Sequence, residues 1–181
     1  MTIRDVAYLT QRHFVESYRI FIADQLEIYE HGGPEVKLEQ SEASRLFKRL
    51  YCADMVVDDG EWRIIEHDPS SRLTLEPFRE RIGSCLVEMR GLEWQRCVVG
   101  AYGIGGLDRL IEDWFDYWFD LEEARYPDDA SPYALSSVIH SVLIEGTQIY
   151  LDLGSAEPRA LTELIELMAT AGASRLVVDA G

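Results

Sequence analysis

The chain has few basic residues. Its 181 residues include 17 lysines and arginines against 33 aspartates and glutamates, which gives a formal net charge of −16. Proteins that bind nucleic acids or anionic membranes gain much of their affinity from positive charge, so we expect neither kind of partner. The same negative field favours fast association with a basic protein, although acidity also serves solubility alone.

Long apolar runs are also missing. The sequence has no uninterrupted apolar window of about 18 residues, so it predicts no transmembrane helix. Its N-terminus carries Arg4, Asp5 and Arg12 where a signal peptide needs an apolar stretch. We therefore expect a cytoplasmic protein. The length suits a single domain over residues 1–181, with residues 1–53 as a mainly helical N-terminal segment.

Cysteine is scarce and shows no pairing pattern. The three cysteines, Cys52, Cys85 and Cys97, form no CxxC motif, and their odd number leaves at least one unpaired. Disulfide-stabilised domains usually carry an even, regularly spaced set, so buried reduced thiols are the simpler interpretation. A reactive thiol is not indicated, because Cys85 lies among apolar neighbours in a predicted helix.

The four histidines are too scattered to predict a metal site. His13, His31, His67 and His140 stand in no HxH or HxxxH spacing, and such spacing is what makes a metal motif specific. The GxSxG elbow of serine hydrolases is missing as well. We therefore predict no metal, no other cofactor and no assignable catalytic residue, and we favour a binding function over an enzymatic one.

A glycine-rich corner is the strongest enzymatic candidate. Residues 98–110, VVGAYGIGGLDRL, run from a predicted strand through the Gly100–Gly106 stretch into a helix, an order that phosphate-binding sites use. The stretch lacks GxGxxG and the P-loop lysine, and Asp108 in the first helical turn would repel a phosphate. A small-molecule enzyme with its site at this corner is our alternative hypothesis. The same glycines are also accounted for if their only role is to allow a tight turn between strand and helix.

Hydrophobic periodicity predicts an α+β fold. We expect a mostly antiparallel sheet of about five to six strands, with two hairpins, covered by about five helices. Residues 18–29 lie in a predicted helix but also alternate well enough for a strand. Helices are predicted at 3–30, at 41–51, between Pro77 and Gly91, at 107–125 and between Pro158 and Gly172, and strands around Asp59-Gly60, at 92–102, around Glu145-Gly146 and at 175–180.

The stretch DWFDYWFDLEE, residues 113–123, combines aromatic and acidic residues. On a helix with about 100° per residue, Trp114 and Trp118 fall on a broad apolar face, which indicates core packing. Acids occupy the opposite side, where Arg109 is the only base, and like charges one turn apart destabilise a helix. Since a purely structural helix usually intersperses lysines, we predict that this side faces a basic partner.

Phe119 lies on the acidic side of that predicted helix. An exposed aromatic ringed by acids has the composition of an interface anchor, but another element could equally cover it. The leading hypothesis is an acidic binding protein that occupies the cationic site of a basic partner, as an immunity protein does with a bacterial toxin domain. An adaptor or structural subunit is a further alternative. The predicted partner-binding residues are Glu112, Asp113, Asp116, Phe119, Asp120, Glu123, Asp128 and Asp129.

Overall fold

The structure, a computed structural model, describes residues 1–69, 71–125 and 134–181. These residues form a three-stranded sheet, a six-stranded sheet and four α-helices. The predicted α+β class is confirmed, with fewer helices and more strands than expected. The helices are α1 Ile3–Ile28, α2 Leu107–Leu110, α3 Glu112–Phe119 and α4 Arg159–Thr170, and a short 3-10 helix spans Phe47–Arg49.

Nine strands are found in the described residues, and most of them pair in antiparallel fashion. The strands are β1 His31–Glu39, β2 Leu50–Asp58, β3 Trp62–Ile65, β4 Phe78–Ile82, β5 Cys85–Met89, β6 Cys97–Tyr102, β7 Ser141–Glu145, β8 Gln148–Asp152 and β9 Arg175–Ala180. The small sheet has the order β1-β2-β3, and the large sheet has the order β4-β5-β9-β6-β8-β7. Within the described pairings, only β5 and β9 run parallel.

Helix α1 begins where the sequence predicts. The Thr2 hydroxyl accepts a hydrogen bond from the Asp5 amide, and the Asp5 carboxylate accepts one from the Thr2 amide, which forms a capping box. Apolar side chains at helical spacing, among them Phe14, Tyr18 and Ile22, are buried. The helix prediction for this segment is confirmed, and the strand alternative for residues 18–29 is wrong.

Two of the predicted helices are wrong. The segment between Pro77 and Gly91 forms the β4–β5 hairpin, which turns at Gly83 with φ of 58°. Residues 41–51 contain only the short 3-10 helix and the start of β2, because Lys48 and Arg49 take positive φ angles. In both segments the apolar residues fit two periods, and pairing with distant strands selects the extended form.

Both predicted hairpins and the terminal strand are confirmed. Strands β2 and β3 flank the turn at Gly60, and strands β7 and β8 flank the turn at Gly146, with φ angles of 104° and 61°. Such left-handed angles favour glycine, which is why the local sequence signals these turns. Helix α4 follows Pro158, and β9 is the predicted last strand.

The predicted helix at 107–125 is shorter and broken. Helix α2 ends at Leu110, and α3 ends at Phe119 because Asp120 takes a left-handed φ of 51°. The expected core role of the tryptophans is confirmed. Trp114 and Trp118 are 7% and 1% exposed, and their indole N–H groups donate to the Ala160 carbonyl and the Glu163 carboxylate of α4.

The two sheets meet at the outer edge of β7. The Cys52 amide of β2 donates to the His140 carbonyl at 2.8 Å, and Leu46 forms an isolated bridge with Leu143 of β7. Helices α1 and α4 contact each other, and α4 also contacts β9 of the large sheet. Among the described residues, no helix is both long and apolar enough to cross a membrane.

Candidate functional site

Helix α3 exposes only part of the predicted partner-binding set. Glu112, Asp113 and Asp116 are exposed, as their helical positions predict. Phe119 is 1% exposed and stacks on Phe115, with ring centroids 5.1 Å apart. The prediction that Phe119 contacts a partner is therefore wrong, and the alternative that other residues cover it is correct.

The prediction that Asp120 binds a partner is also wrong. It is 8% exposed, and its carboxylate accepts hydrogen bonds from the backbone amides of Ala124 and Arg125 at 3.1 and 3.0 Å. Lys37 donates from Nζ to the Asp120 backbone carbonyl. Asp120 therefore ends α3 and fixes the turn that follows it, and its carboxylate is not available to a partner.

Bases from distant segments accompany the acids of α3. Lys48 Nζ lies 2.6 Å from Asp116 Oδ1 and 3.3 Å from Glu112 Oε1. Lys37 Nζ lies 3.9 Å from Glu123 Oε1. Arg109 is the only base that residues 107–123 themselves place on this side, but the fold adds lysines that the local sequence does not contain. Asp128 and Asp129 lie outside the described residues.

The exposed aromatic of this region is Tyr117. Tyr117 and Leu121 are each 51% exposed, although on a continuous helix with about 100° per residue both would lie near the apolar face of the tryptophans. The guanidinium carbon of Arg125 lies 4.6 Å from the centroid of the Tyr117 ring. We name this region the acidic-aromatic surface. It comprises Asp113, Asp116, Tyr117, Leu121 and Glu122, which are all exposed.

The glycines of the Gly100–Gly106 corner are explained by backbone conformation and close packing. Gly103 and Gly106 have φ angles of 87° and 66°, and a β-carbon on Gly103 would lie 2.7 Å from the Ser174 hydroxyl. Helix α2, which follows the corner, has only four residues and therefore offers little helix dipole to an anion. The alternative that these glycines only permit a tight turn fits the structure better than a phosphate site.

A second group of polar residues is buried where the two sheets meet. His140 Nε2 lies 3.1 Å from Glu35 Oε1, and His140 Nδ1 lies 2.8 Å from Asp54 Oδ1. Asp152 completes the group, with a carboxylate oxygen within 4.8 Å of ligand atoms on Asp54 and His140. We name Glu35, Asp54, His140 and Asp152 the buried cluster.

Four separate segments position the buried cluster. Glu35 interrupts β1 with a φ of 53°, Asp54 lies in the middle of β2, His140 immediately precedes β7, and Asp152 ends β8. Glu35 and His140 are 105 positions apart in the chain. No local spacing could have revealed this site. The only sequence signal is an acid inside each of two apolar strands, CADMVV and IYLDL.

Backbone amides hold the carboxylates of the buried cluster. The His67 amide donates to Asp54 Oδ2 at 2.6 Å, and the Gly154 amide donates to Asp152 Oδ1 at 2.9 Å. The Ser136 amide donates to Glu35 Oε2. Each carboxylate therefore has one oxygen fixed by the backbone.

Burial and mutual charge shift the pKa values of the cluster. Burial raises the pKa of Asp152 to about 7, His140 opposes this shift, and the Asp54 carboxylate adds to it. Burial acts to lower the pKa of His140, but the surrounding carboxylates of Asp54, Glu35 and Asp152 raise it well above its usual value. The group therefore concentrates negative charge around one imidazole, and a bound cation or proton would lower its energy.

Comparisons with known proteins give no assignment for either region. No family model, no curated protein and no solved structure matches this chain.

Proposed function

We propose that this protein is a binding protein that occupies a cationic site on a basic partner protein, in the way that an immunity protein neutralises a toxin domain. The observation that carries the proposal is the exposed side chain of Tyr117, 51% accessible, one helical turn after the exposed Asp113. Exposed aromatics with polar borders are typical interface anchors. The net charge of −16 supplies long-range attraction towards a basic partner.

Some acids of this surface form ion pairs with a lysine, and others do not. Lys48 accompanies Glu112 and Asp116, whereas neither Asp113 nor Glu122 forms an ion pair with any described residue. Asp113 precedes Tyr117 by one helical turn, so the two side chains are neighbours on α3. A partner arginine or lysine at the Tyr117 ring would therefore meet the unneutralised carboxylate of Asp113.

Arg125 supports a cationic contact at this position. Its guanidinium stacks over the Tyr117 ring, and its Nη2 donates to the Tyr117 carbonyl at 2.8 Å. The ring thus already accepts a cation–π contact on one side. The stacking also restricts the Tyr117 side chain, which reduces the entropy lost when a partner binds.

The test compares two charge reversals of equal size. The wild-type chain first captures its partner from cells that naturally produce it, and the purified partner is then used for affinity measurements. We expect Asp113→Lys/Glu122→Lys to weaken binding at least about tenfold, mainly through slower association that becomes less sensitive to salt. The matched control is Asp24→Lys/Glu27→Lys, which reverses two exposed acids of α1.

Equal affinity for the two double variants would reject the acidic-aromatic surface as the binding site. Tyr117→Ala provides an independent arm, because an anchor residue should lose affinity without losing stability. The enzymatic alternative at the Gly100–Gly106 corner has no comparable support, since its glycines are explained by backbone geometry.

A further inference from the structure

We propose that Asp54, His140 and Asp152 together bind one divalent first-row transition-metal ion where the two sheets meet. One ligand atom from each residue lies within 4.8 Å of the other two, which is close enough for all three to coordinate a shared ion. The site is separate from the acidic-aromatic surface, and the proposal does not depend on the proposed function. It also differs from the expectation drawn from the scattered histidines.

The unpartnered ring nitrogen of His140 is the second observation. The side chain is 1% exposed, and Nδ1 is buried without a hydrogen-bond partner. Asp54 Oδ1 lies 2.8 Å from Nδ1, yet the two atoms form no hydrogen bond. When Nδ1 carries no proton, its buried lone pair faces a carboxylate oxygen, and that contact is repulsive unless a cation or a proton lies between the two atoms. A metal ion coordinated by both atoms removes that repulsion.

The surrounding contacts resemble those that orient metal ligands. Metal-binding histidines usually donate their other ring N–H to a carboxylate, which fixes the tautomer. His140 Nε2 lies 3.1 Å from Glu35 Oε1 in this arrangement, which leaves Nδ1 as the coordinating atom. The amides of His67 and Gly154 hold the Asp54 and Asp152 carboxylates. Each of the proposed ligands is therefore already oriented by an outer contact.

The ligand set selects the type of ion. Two carboxylates and one imidazole suit Zn²⁺, Mn²⁺, Fe²⁺ or Co²⁺, whereas Mg²⁺ and Ca²⁺ prefer ligand sets made of oxygen alone. The sulfur of Cys52 is not among the grouped ligand atoms, so we expect no strong preference for soft ions.

Asp152 provides an access route and indicates the role of the ion. It is half-buried and lines a depression of about 400 Å³ together with Leu46, Ser141 and Tyr150. The three ligands come from β2, the residue before β7, and β8, so the ion would join the small sheet to the large one. Such a site stabilises the folded state by the free energy of binding.

Metal binding is tested on the full chain after removal of bound ions with a chelator. Titration with ZnCl₂, MnCl₂ or CoCl₂ should show one equivalent bound and a higher melting temperature, while MgCl₂ should bind far more weakly. The variants His140→Gln and Asp152→Asn should lower the affinity by at least about tenfold. The controls His31→Gln and Asp179→Asn should bind as the wild type does.

A measurement on the wild type keeps the test decisive if a buried variant does not fold. In nitrogen-15 NMR spectra, Zn²⁺ should shift the Nδ1 resonance of His140 at one equivalent and leave the other histidines unchanged. An unshifted resonance with both ring nitrogens protonated would overturn the proposal and identify an ion-paired imidazolium. Undiminished stoichiometric binding in the folded His140→Gln and Asp152→Asn variants would also overturn it, because the ions would then bind elsewhere.

Discussion

The ammonium of Lys48 lies 2.6 Å from Asp116 Oδ1, although the two residues are 68 positions apart in the chain. The same ammonium lies 3.3 Å from Glu112 Oε1, so one base serves two carboxylates that are one helical turn apart. This arrangement offsets the repulsion that the sequence predicts along α3. It also fixes part of the acidic side in place, whereas Asp113 forms no ion pair with any described residue.

Asp120 and Asp113 should differ sharply in what they contribute to stability. Asp120→Ala removes a nearly buried carboxylate that accepts two backbone hydrogen bonds. We expect it to lower the free energy of unfolding by about 1.5–3 kcal/mol. The Asp113 side chain is exposed, so Asp113→Ala should change the free energy of unfolding by no more than about 0.5 kcal/mol. Urea unfolding followed by tryptophan fluorescence measures both, and equal losses would contradict the cap assigned to Asp120.

Phe119 and Tyr117 form a second contrasting pair. Phe119→Ala creates a cavity beside Phe115 and should lower the free energy of unfolding by about 3–5 kcal/mol. Tyr117→Ala removes a ring that is half exposed, so its cost should remain below about 1.5 kcal/mol. Thermal and urea denaturation of both variants check this order. The reverse order would mean that Tyr117, and not Phe119, packs in the core.

Gly154 lies so close to the imidazole of His140 that there is no room for a β-carbon. A β-carbon on Gly154 would lie 2.1 Å from His140 Cδ2, so Gly154→Ala requires the imidazole to move. Gly146→Ala is the matched control, because it has a similar positive φ but open space around it. The control should cost about 1–2 kcal/mol from backbone strain alone. Gly154→Ala should cost clearly more in urea unfolding, and equal costs would show that the ring yields freely.

The cysteines should react slowly with thiol reagents in the folded protein. Cys52, Cys85 and Cys97 are free and buried, which confirms the expectation of buried reduced thiols. Burial raises the pKa of Cys52 and of Cys97 to about 12, so little thiolate exists near neutral pH. A chromogenic disulfide at pH 8 should label all three only after denaturation. Rapid labelling of native protein would contradict this, and reducing agent should leave the melting temperature unchanged.

The contribution of Glu88 to the stability of the fold should be lost at acidic pH. A hydrogen bond from Arg175 holds the pKa of the Glu88 carboxyl below its usual value, since this contact outweighs the opposing effect of burial. A depressed carboxyl pKa stabilises the fold above the pKa of the unfolded chain, and this contribution is lost as pH falls through the folded value. The difference in melting temperature between wild type and Glu88→Gln should therefore shrink from pH 6 to pH 3. A constant difference would indicate a role independent of charge.

The local sequence was sufficient wherever a segment carries its own boundary signals. Helix α1 begins with the Thr2–Asp5 capping box, and the two hairpins turn at glycines with left-handed angles. The tryptophans of α3 were correctly assigned to the core because helical spacing places them together. These features depend on residues within a few positions of one another, so propensity and periodicity suffice to predict them.

Tertiary structure decided the rest because the deciding partners are distant in the chain. Residues 78–89 fit a helical period, yet pairing of β5 with β9 makes them strands. Phe119 is covered because α3 ends at this residue and packs its last turn into the core. The bases beside the acids come from Lys37 and Lys48, and His140 meets Glu35 across 105 positions. A local pattern does not encode contacts of that separation, since their energy appears only after the chain has folded.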